Sequence, residues 1–157
     1  MGTIEEIIKQ KKFENDYHRA FVGITYIYNV IDYAQQHIFK KYDITTQQFN
    51  VLRILRGQHP KPSTVGLIKD RMIDRNSDTS RIIERLRKTG YVERVTCEND
   101  RRAVDIIITA KGLELLATMD DVIYTISEPL KMLDATEIQE LNGLIDKITI
   151  RWDDVNK

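Results

Sequence analysis

The chain has 157 residues, of which 41% are hydrophobic and 31% are charged, and its formal net charge is zero. This length suits one compact domain, or one core with helical extensions, and the balanced charge excludes a polycation that binds acidic partners without specificity. The amino-terminal sequence is polar, and no run of about 18 apolar residues occurs, so we expect a cytoplasmic protein without a membrane span.

The amino-terminal part of the chain predicts two helices. Residues 3–12 form a short amphipathic pattern, with isoleucines such as Ile4 and Ile7 on one side. A longer helix is predicted from about Asn15 to Lys41, because its apolar residues recur mostly at spacings of three and four. It carries an aromatic stripe of Tyr17, Phe21, Tyr28 and Tyr33, of which the first three are the predicted ligand residues.

Three shorter helices follow in the sequence. Thr45 or Thr46 can cap the first, which Gly57 is expected to end. Ser63 or Thr64 can cap the second, which is predicted over residues 65–72. A polar break precedes the third, predicted over residues 78–88 and stopped by Gly90.

The pattern then changes to a hairpin and two more helices. Residues 91–97 and 103–109 are rich in β-branched side chains and flank a polar connection, which predicts a β-hairpin. Thr109 can cap a helix that reaches about residue 132, and Asp134 with Glu137 forms a capping box for a last helix. That helix has a heptad-like apolar seam of Ile138, Leu141, Ile145, Ile148, Trp152 and Val155.

Two helices joined by a polar turn and followed by a hairpin predict a winged helix-turn-helix, mainly α-helical with a small β-hairpin wing. Its recognition helix would be residues 78–88. If Ile82, Ile83 and Leu86 face inward, hydroxyls and cations face outward at about 100° per residue, ready for base edges and phosphates in a major groove. The predicted DNA contacts in this region are Thr46, Ser63, Ser77, Thr79, Ser80, Arg81, Arg85 and Lys88.

The predicted tip of the hairpin adds two arginines. The guanidinium forks of Arg101 and Arg102 can lie in a minor groove or straddle a phosphate, and Asp100 is interpreted as a brace for one of them. Residues 69–102 contain ten basic and seven acidic residues, so this stretch carries +3 and the remainder −3. The distribution indicates a weakly basic DNA-binding surface on an acidic body.

These motifs resemble the MarR (multiple antibiotic resistance regulator) family. Residues Ser77–Arg94 are similar to the family's recognition helix and first wing strand, and Asp100–Arg102 matches its wing motif. Ile108–Gly112 resembles the start of the following helix, and Thr45–Leu52 resembles the first helix after the dimerisation helix. The turn at residues 72–76 departs from the family pattern, because it is longer and more charged.

The resemblance implies a homodimer that binds a pseudo-palindromic operator in double-stranded DNA, usually as a repressor released by a small ligand or an oxidant. It divides the chain into dimerisation helices (1–42), the winged helix-turn-helix (43–110) and carboxy-terminal dimerisation helices (111–157). The predicted interface residues are Ile4, Ile7, Phe21, Ile138, Leu141, Ile145, Ile148 and Trp152.

Three features have two interpretations each. The aromatic stripe packs in the core or the dimer, or it lines a crevice for a small aromatic or phenolic ligand. Glu84 is an internal partner of Arg81 or Lys88, or it recognises cytosine. Cys97 is a passive small residue or a peroxide-sensitive thiol beside Arg94.

A sequence-specific transcription regulator is the function that these patterns favour. The alternative is a protein-interaction module on a winged-helix scaffold without DNA binding, which the zero net charge and the acids Asp78 and Glu84 support. An enzyme is not expected, since phosphate loops, nucleophile elbows and catalytic His–carboxylate clusters are missing. The three histidines lack ligand spacing, so we expect no metal or other cofactor, and the single cysteine fits a reducing compartment.

Overall fold

The computed structural model describes residues 2–96 and 104–155. The helices in these residues are α1 (Ile4–Ile7), α2 (Asp16–Lys41), α3 (Thr46–Gln58), α4 (Val65–Asp70), α5 (Thr79–Lys88), α6 (Ala110–Ser127) and α7 (Ala135–Val155), and a 3-10 helix (Glu128–Met132) follows α6. The strands are β1 (Ser63–Thr64), β2 (Val92–Thr96) and β3 (Val104–Ile108). The chain forms two compact units, Met1–Asp120 and Asp121–Lys157, and the division between them falls within α6.

Side-chain caps begin the long helices where the sequence predicts them. Asn15 accepts a hydrogen bond from the backbone amide three residues later, at 2.9 Å, at the start of α2. Thr45 and Gln48 exchange bonds of 3.2 and 2.8 Å in a capping box at α3. Asp134 and Glu137 form the same motif at α7, with bonds of 2.8 and 2.9 Å. These caps satisfy amides that have no partner within the helix itself.

The predicted limits of α1 and α3 are wrong. Helix α1 is one turn, Ile4–Ile7, instead of residues 3–12, since Lys9 has a left-handed φ of 57° through which an α-helix cannot continue. Helix α3 continues through Gly57 and ends at Gln58. A glycine ends a helix where its own backbone turns left-handed, and Gly57 keeps the helical conformation instead. Gly90, with φ of 78°, follows the end of α5 as predicted.

The sheet has a third strand that the sequence does not predict. Strand β3 lies in the centre and pairs antiparallel with both β1 and β2. Ser63 of β1 lies opposite Ile106, and Val92 of β2 lies opposite Ile108. Thr64, rather than Ser63, caps α4 by accepting a bond of 3.1 Å from the amide of Leu67, and α4 ends at Asp70 instead of near residue 72.

One apolar core lies beneath the helix-turn-helix. Helices α3 to α6 and the sheet all contribute fully buried side chains to it: Val51, Leu52, Leu55, Ile68, Ile83, Leu86, Val92, Ile106, Ile108 and Leu116. Burial of each large aliphatic side chain contributes about 1.5–3 kcal/mol. Ile83 and Leu86 confirm the predicted inward face of α5, and Ile82 lies partly buried at its edge. The opposite face of α5 is therefore held toward solvent.

The start of α6 is locked against the base of the hairpin. The Thr109 hydroxyl donates to the Gly90 carbonyl at 2.8 Å and accepts from the Gly112 amide at 3.2 Å. A Cβ atom on Gly112 would meet the Tyr91 carbonyl and lie 2.7 Å from Cγ1 of Ile108. The Thr-x-x-Gly pattern is thus needed for this close approach of helix and strand.

An ion pair also connects α3 with α6. Arg56 donates two hydrogen bonds to the Asp120 carboxylate, at 2.8 and 2.9 Å. These bonds from the guanidinium hold the pKa of Asp120 below its usual 3.8. The fork geometry is the strong bidentate form of this pair, although both side chains are partly exposed.

Helices α2 and α7 keep many apolar side chains exposed. On α2 they include Tyr17, Phe21, Ile24, Ile27, Tyr28 and Tyr33, and on α7 they include Leu144, Ile145, Ile148 and Ile150. The aromatic stripe therefore lies outside the core of the single chain, which leaves packing in a dimer and the ligand crevice as its two interpretations. None of the helices in residues 2–96 and 104–155 combines the length and the hydropathy needed to cross a bilayer.

Candidate nucleic-acid interface

Helix α5 presents a polar and cationic face to solvent. Asp78 begins the helix, and its carboxylate accepts from the Arg81 amide at 3.0 Å. Four of the predicted DNA contacts are exposed on this helix: Ser80, Arg81, Arg85 and Lys88. Because the core holds the other face, the backbone of α5 presents these side chains from a fixed position.

Two predicted DNA contacts are buried, and that part of the prediction is wrong. Ser63 is 2% exposed in strand β1, and Thr79 is 4% exposed at the first position of α5. Thr79 lies one helical turn before Ile83 and faces the same core. A hydroxyl suited to DNA says nothing about which side of the element carries it, so residue type alone misplaces both residues.

A groove of about 250 Å³ separates the amino end of α3 from α5. Arg81 and Arg85 line one wall and Gln47 lines the other. The sequence prediction misses Gln47, although it is a polar residue in the first turn of the helix that precedes the recognition helix. Its position between Thr45 and Gln48, the two residues of the capping box, is the sequence signal that could have found it.

Thr46 lies beside a different cavity. This space of about 310 Å³ is bounded by residues of α2, α3 and the α4–α5 turn, among them Tyr28, Thr46, Asn50, Met72 and Ile73. Tyr28 is the member of the aromatic stripe that lines it, whereas Tyr17 and Phe21 are exposed elsewhere on α2. The structure thus brings one of the three predicted ligand residues to a cavity.

The charged turn between α4 and α5 is held by its own hydrogen bonds. The Asp74 carboxylate accepts from the Asn76 amide at 3.1 Å and from the Ser77 hydroxyl at 2.8 Å. Asn50 of α3 accepts from the Ile73 amide at 2.9 Å. The hydroxyl of Ser77, a predicted DNA contact, is therefore engaged within the turn.

Glu84 forms ion pairs within the chain, as one of its two interpretations predicts. Its partners are Arg87 and Arg94 rather than the predicted Arg81 or Lys88. Its carboxylate accepts from Nε and Nη2 of Arg87 at 3.1 and 2.9 Å, and Nη2 of Arg94 lies 3.5 Å away. The hydrogen bonds from Arg87 are the main cause that lowers the pKa of Glu84. Neither Arg81 nor Lys88 forms a salt bridge with Glu84 among the described residues.

Several predicted residues lie outside the described part of the chain. These are Cys97, Asp100, Arg101 and Arg102, together with the side chain of Trp152. Of the other predicted interface residues, Ile7, Phe21, Ile145 and Ile148 are exposed, whereas Ile4, Ile138 and Leu141 are partly buried.

A recognition helix on a helical core, followed by a small antiparallel sheet, defines the winged helix-turn-helix class of DNA-binding transcription regulators. More particularly, the chain belongs to the MarR family. A sequence profile described as MarR family matches residues 42–103. The crystal structure of a MarR transcription factor from Planctomyces limnophilus is 30% identical, with a TM-score of 0.65 over 86% of this chain and 98% of that one.

Two further comparisons agree with the family and the fold. The HTH-type transcriptional regulator PecS of Dickeya dadantii is 29% identical over 124 residues, 75% of this chain and 74% of PecS. The fold is shared with S. aureus MepR in its DNA complex, at 18% identity and a TM-score of 0.75 over 89% of this chain and 99% of that one. The expectation of a MarR-family transcription regulator rather than an enzyme is confirmed.

Proposed function

We propose that the chain binds operator DNA in a sequence-specific manner by placing α5 in a major groove. The observation that carries the proposal is the exposed set Ser80, Arg81, Arg85 and Lys88 on a helix whose other face is buried. Arginine can bond bidentately to guanine, and a small serine lets the helix backbone approach the base pairs. S. aureus MepR, whose fold is similar, has been crystallised with DNA, which supports this docking.

The residues around α5 position it on the duplex. Gln47 and Thr46 at the amino end of α3 lie where amides and side chains can meet phosphates, and Ser77 lies at the entrance of the groove beside Arg81. We retain Arg101 and Arg102 as wing contacts to the minor groove or the backbone, with Asp100 as their brace.

The active form in this proposal is a homodimer. Helices α1, α2 and α7 supply the surface in this proposal, through Ile4, Ile7, Phe21, Ile138, Leu141, Ile145, Ile148 and Trp152. Segments 1–42 and 111–157 thus serve dimerisation, and segment 43–110 serves DNA binding. Two-fold symmetry matches a pseudo-palindromic operator.

Regulation in this proposal is repression in the cytoplasm, relieved by a small aromatic or phenolic ligand. The cavity beside Tyr28 supports this part, because it lies between α2 and the turn that leads into α5. A ligand there would shift the orientation of α5 only if it bound the DNA-free form more tightly. Tyr17 and Phe21 would border that ligand after dimerisation.

Selection of genomic fragments by the purified protein tests the central proposal. We expect one symmetric site, and we expect Arg81→Ala to reduce the preference for that site by about 1–3 kcal/mol, the value of one bidentate base contact. Arg151→Ala on α7 is the matched control, since it removes the same charge from an exposed helical position. Equal effects of the two variants would contradict the docking. A protein that retains no fragment at low salt would favour the protein-interaction alternative.

A further inference from the structure

A carboxylate lies in the middle of the cationic face of α5. At about 100° per residue, Glu84 lies on the same side of the helix as Arg81 and Lys88. This position is unfavourable beside DNA phosphates unless the carboxylate has another task. Glu84 is about one-third exposed, so the surface contains it rather than the core.

Glu84 already has two cationic partners. Arg87, one turn later on α5, occupies both carboxylate oxygens through the bonds of 3.1 and 2.9 Å. Arg94 approaches from strand β2, so the cluster joins the recognition helix to the first strand of the wing. Arg87 and Arg94 are 46% and 53% exposed, which leaves both guanidinium groups within reach of a ligand.

The other arginines of α5 differ in this respect. Within the described residues, Arg81 and Arg85 have no carboxylate within salt-bridge distance. The helix therefore carries two arginines that are available to DNA and one, Arg87, that is held by an acid. Phosphate contacts add affinity for every DNA sequence equally, whereas contacts to base edges distinguish one sequence from another.

We propose that Glu84 is a positioning residue that holds Arg87 and Arg94 away from the DNA backbone and thereby increases discrimination between operator and other DNA. This inference rests on the proposed function. The carboxylate neutralises one positive charge at the place where α5 and β2 meet. Its lowered pKa, caused mainly by Arg87, keeps it ionised throughout the range in which the protein would meet DNA.

Glu84→Gln tests the proposal, because it keeps the shape of the side chain and removes its charge. Binding is measured on the selected operator and on a scrambled duplex of equal length, between 50 and 200 mM salt. We expect the variant to bind the scrambled duplex more tightly. The slope of log K against log salt should become steeper by about 0.9 for each arginine released in the bound dimer, counted over both protomers. The ratio of operator to scrambled affinity should fall several-fold.

Glu93→Gln is the matched control. Glu93 is an exposed carboxylate on β2, and it forms no ion pair with any described residue. The Glu93→Gln change therefore alters the net charge by the same amount as Glu84→Gln but releases no arginine. Arg87→Gln completes a cycle: in the parent chain it should leave the slope nearly unchanged, and in the Glu84→Gln background it should reverse part of the steepening.

The outcomes separate the competing explanations. Equal slopes for Glu84→Gln and Glu93→Gln would overturn the proposal. A loss of operator affinity in Glu84→Gln that occurs only when one particular cytosine is present in the operator would also overturn it, because Glu84 would then recognise that base directly. A purely structural role would lower the midpoint of thermal unfolding and leave the slope unchanged, and would overturn it too. A parent protein without salt-dependent binding to any duplex would instead contradict the proposed function itself.

Discussion

The helix-turn-helix region and the long terminal helices use similar apolar residues in opposite ways. In α3, Leu52 and Val51 are fully buried, together with Leu55. In α2 and α7, Phe21 and Ile148 are 66% and 53% exposed. The first region therefore completes its core within one chain, and the second leaves its apolar faces uncovered.

This difference indicates a division of labour. In the proposed docking, a helix that is held in place before binding loses less freedom on contact with DNA, and the core under α5 holds it locally. Exposed apolar surface stabilises a protein only once it is removed from water, at about 25 cal/mol per Å². The uncovered faces of α2 and α7 are therefore suited to association, and two copies of one chain can cover them mutually.

Truncation of the core is the strongest way to test this comparison. Leu52→Ala should lower the free energy of unfolding by about 3 kcal/mol, because it leaves a cavity among side chains that cannot collapse around it. Ile24→Ala on α2 is the control, since Ile24 is 57% exposed. Urea unfolding, measured at a protein concentration too low for association, should show that the control lowers the free energy of unfolding by only a few tenths of a kcal/mol. Equal losses would break the comparison.

The contact between α6 and the base of the hairpin can be tested by adding a methyl group instead of removing one. Gly112→Ala should cost about 2 kcal/mol, because the added methyl group meets the Tyr91 carbonyl and the Ile108 side chain. Gly143→Ala on α7 is the control, since the space around that glycine is open and alanine favours the helix. Thermal unfolding of the two variants should shift in opposite directions. A neutral Gly112→Ala would mean that α6 can move away from β3.

Sequence patterns predict those features that depend on neighbouring residues. The caps at Thr45 and Asp134 and the inward face of α5 follow from local spacing and side-chain chemistry, and the structure contains them. The two strands of the hairpin follow from their β-branched runs.

Features that depend on distant pairs are not predictable in this way. Strand β1 has two residues, too short for any alternation, and forms because β3 offers a free edge. Arg56 and Asp120 are 64 positions apart in sequence. Likewise, Arg94 reaches Glu84 because the sheet folds back beside α5, which helical spacing alone does not indicate.

The apolar face of α7 can be tested by a single charge. Ile145→Asp should weaken dimerisation at least tenfold, or about 1.4 kcal/mol, because each protomer then buries an unpaired carboxylate at the interface. Gln139→Asp on the same helix lies outside the seam and introduces the same charge. Sedimentation equilibrium should show a shift toward monomer for the first variant alone. A monomeric parent protein, or equal behaviour of the variants, would contradict assembly through this face.

The smallest expected effect concerns the ion pair between Arg56 of α3 and Asp120 of α6. Arg56 lowers the pKa of Asp120 in the folded protein below the value of about 3.8 that the carboxyl has in the unfolded chain. The ionised carboxylate therefore stabilises the fold at pH values above 3.8. This contribution is lost as the pH falls through the lower pKa of the folded protein. Since both side chains are about one-third exposed, solvent screening limits the contribution to at most about 1 kcal/mol. Asp120→Asn should therefore unfold at slightly lower urea than the parent at pH 7, and the gap should close at acidic pH. Asp121→Asn, an exposed neighbour for which the described residues provide no ion pair, should show no such gap. A gap that persists in acid would indicate that uncharged contacts of the Asp120 side chain, rather than its charge, join α3 to α6.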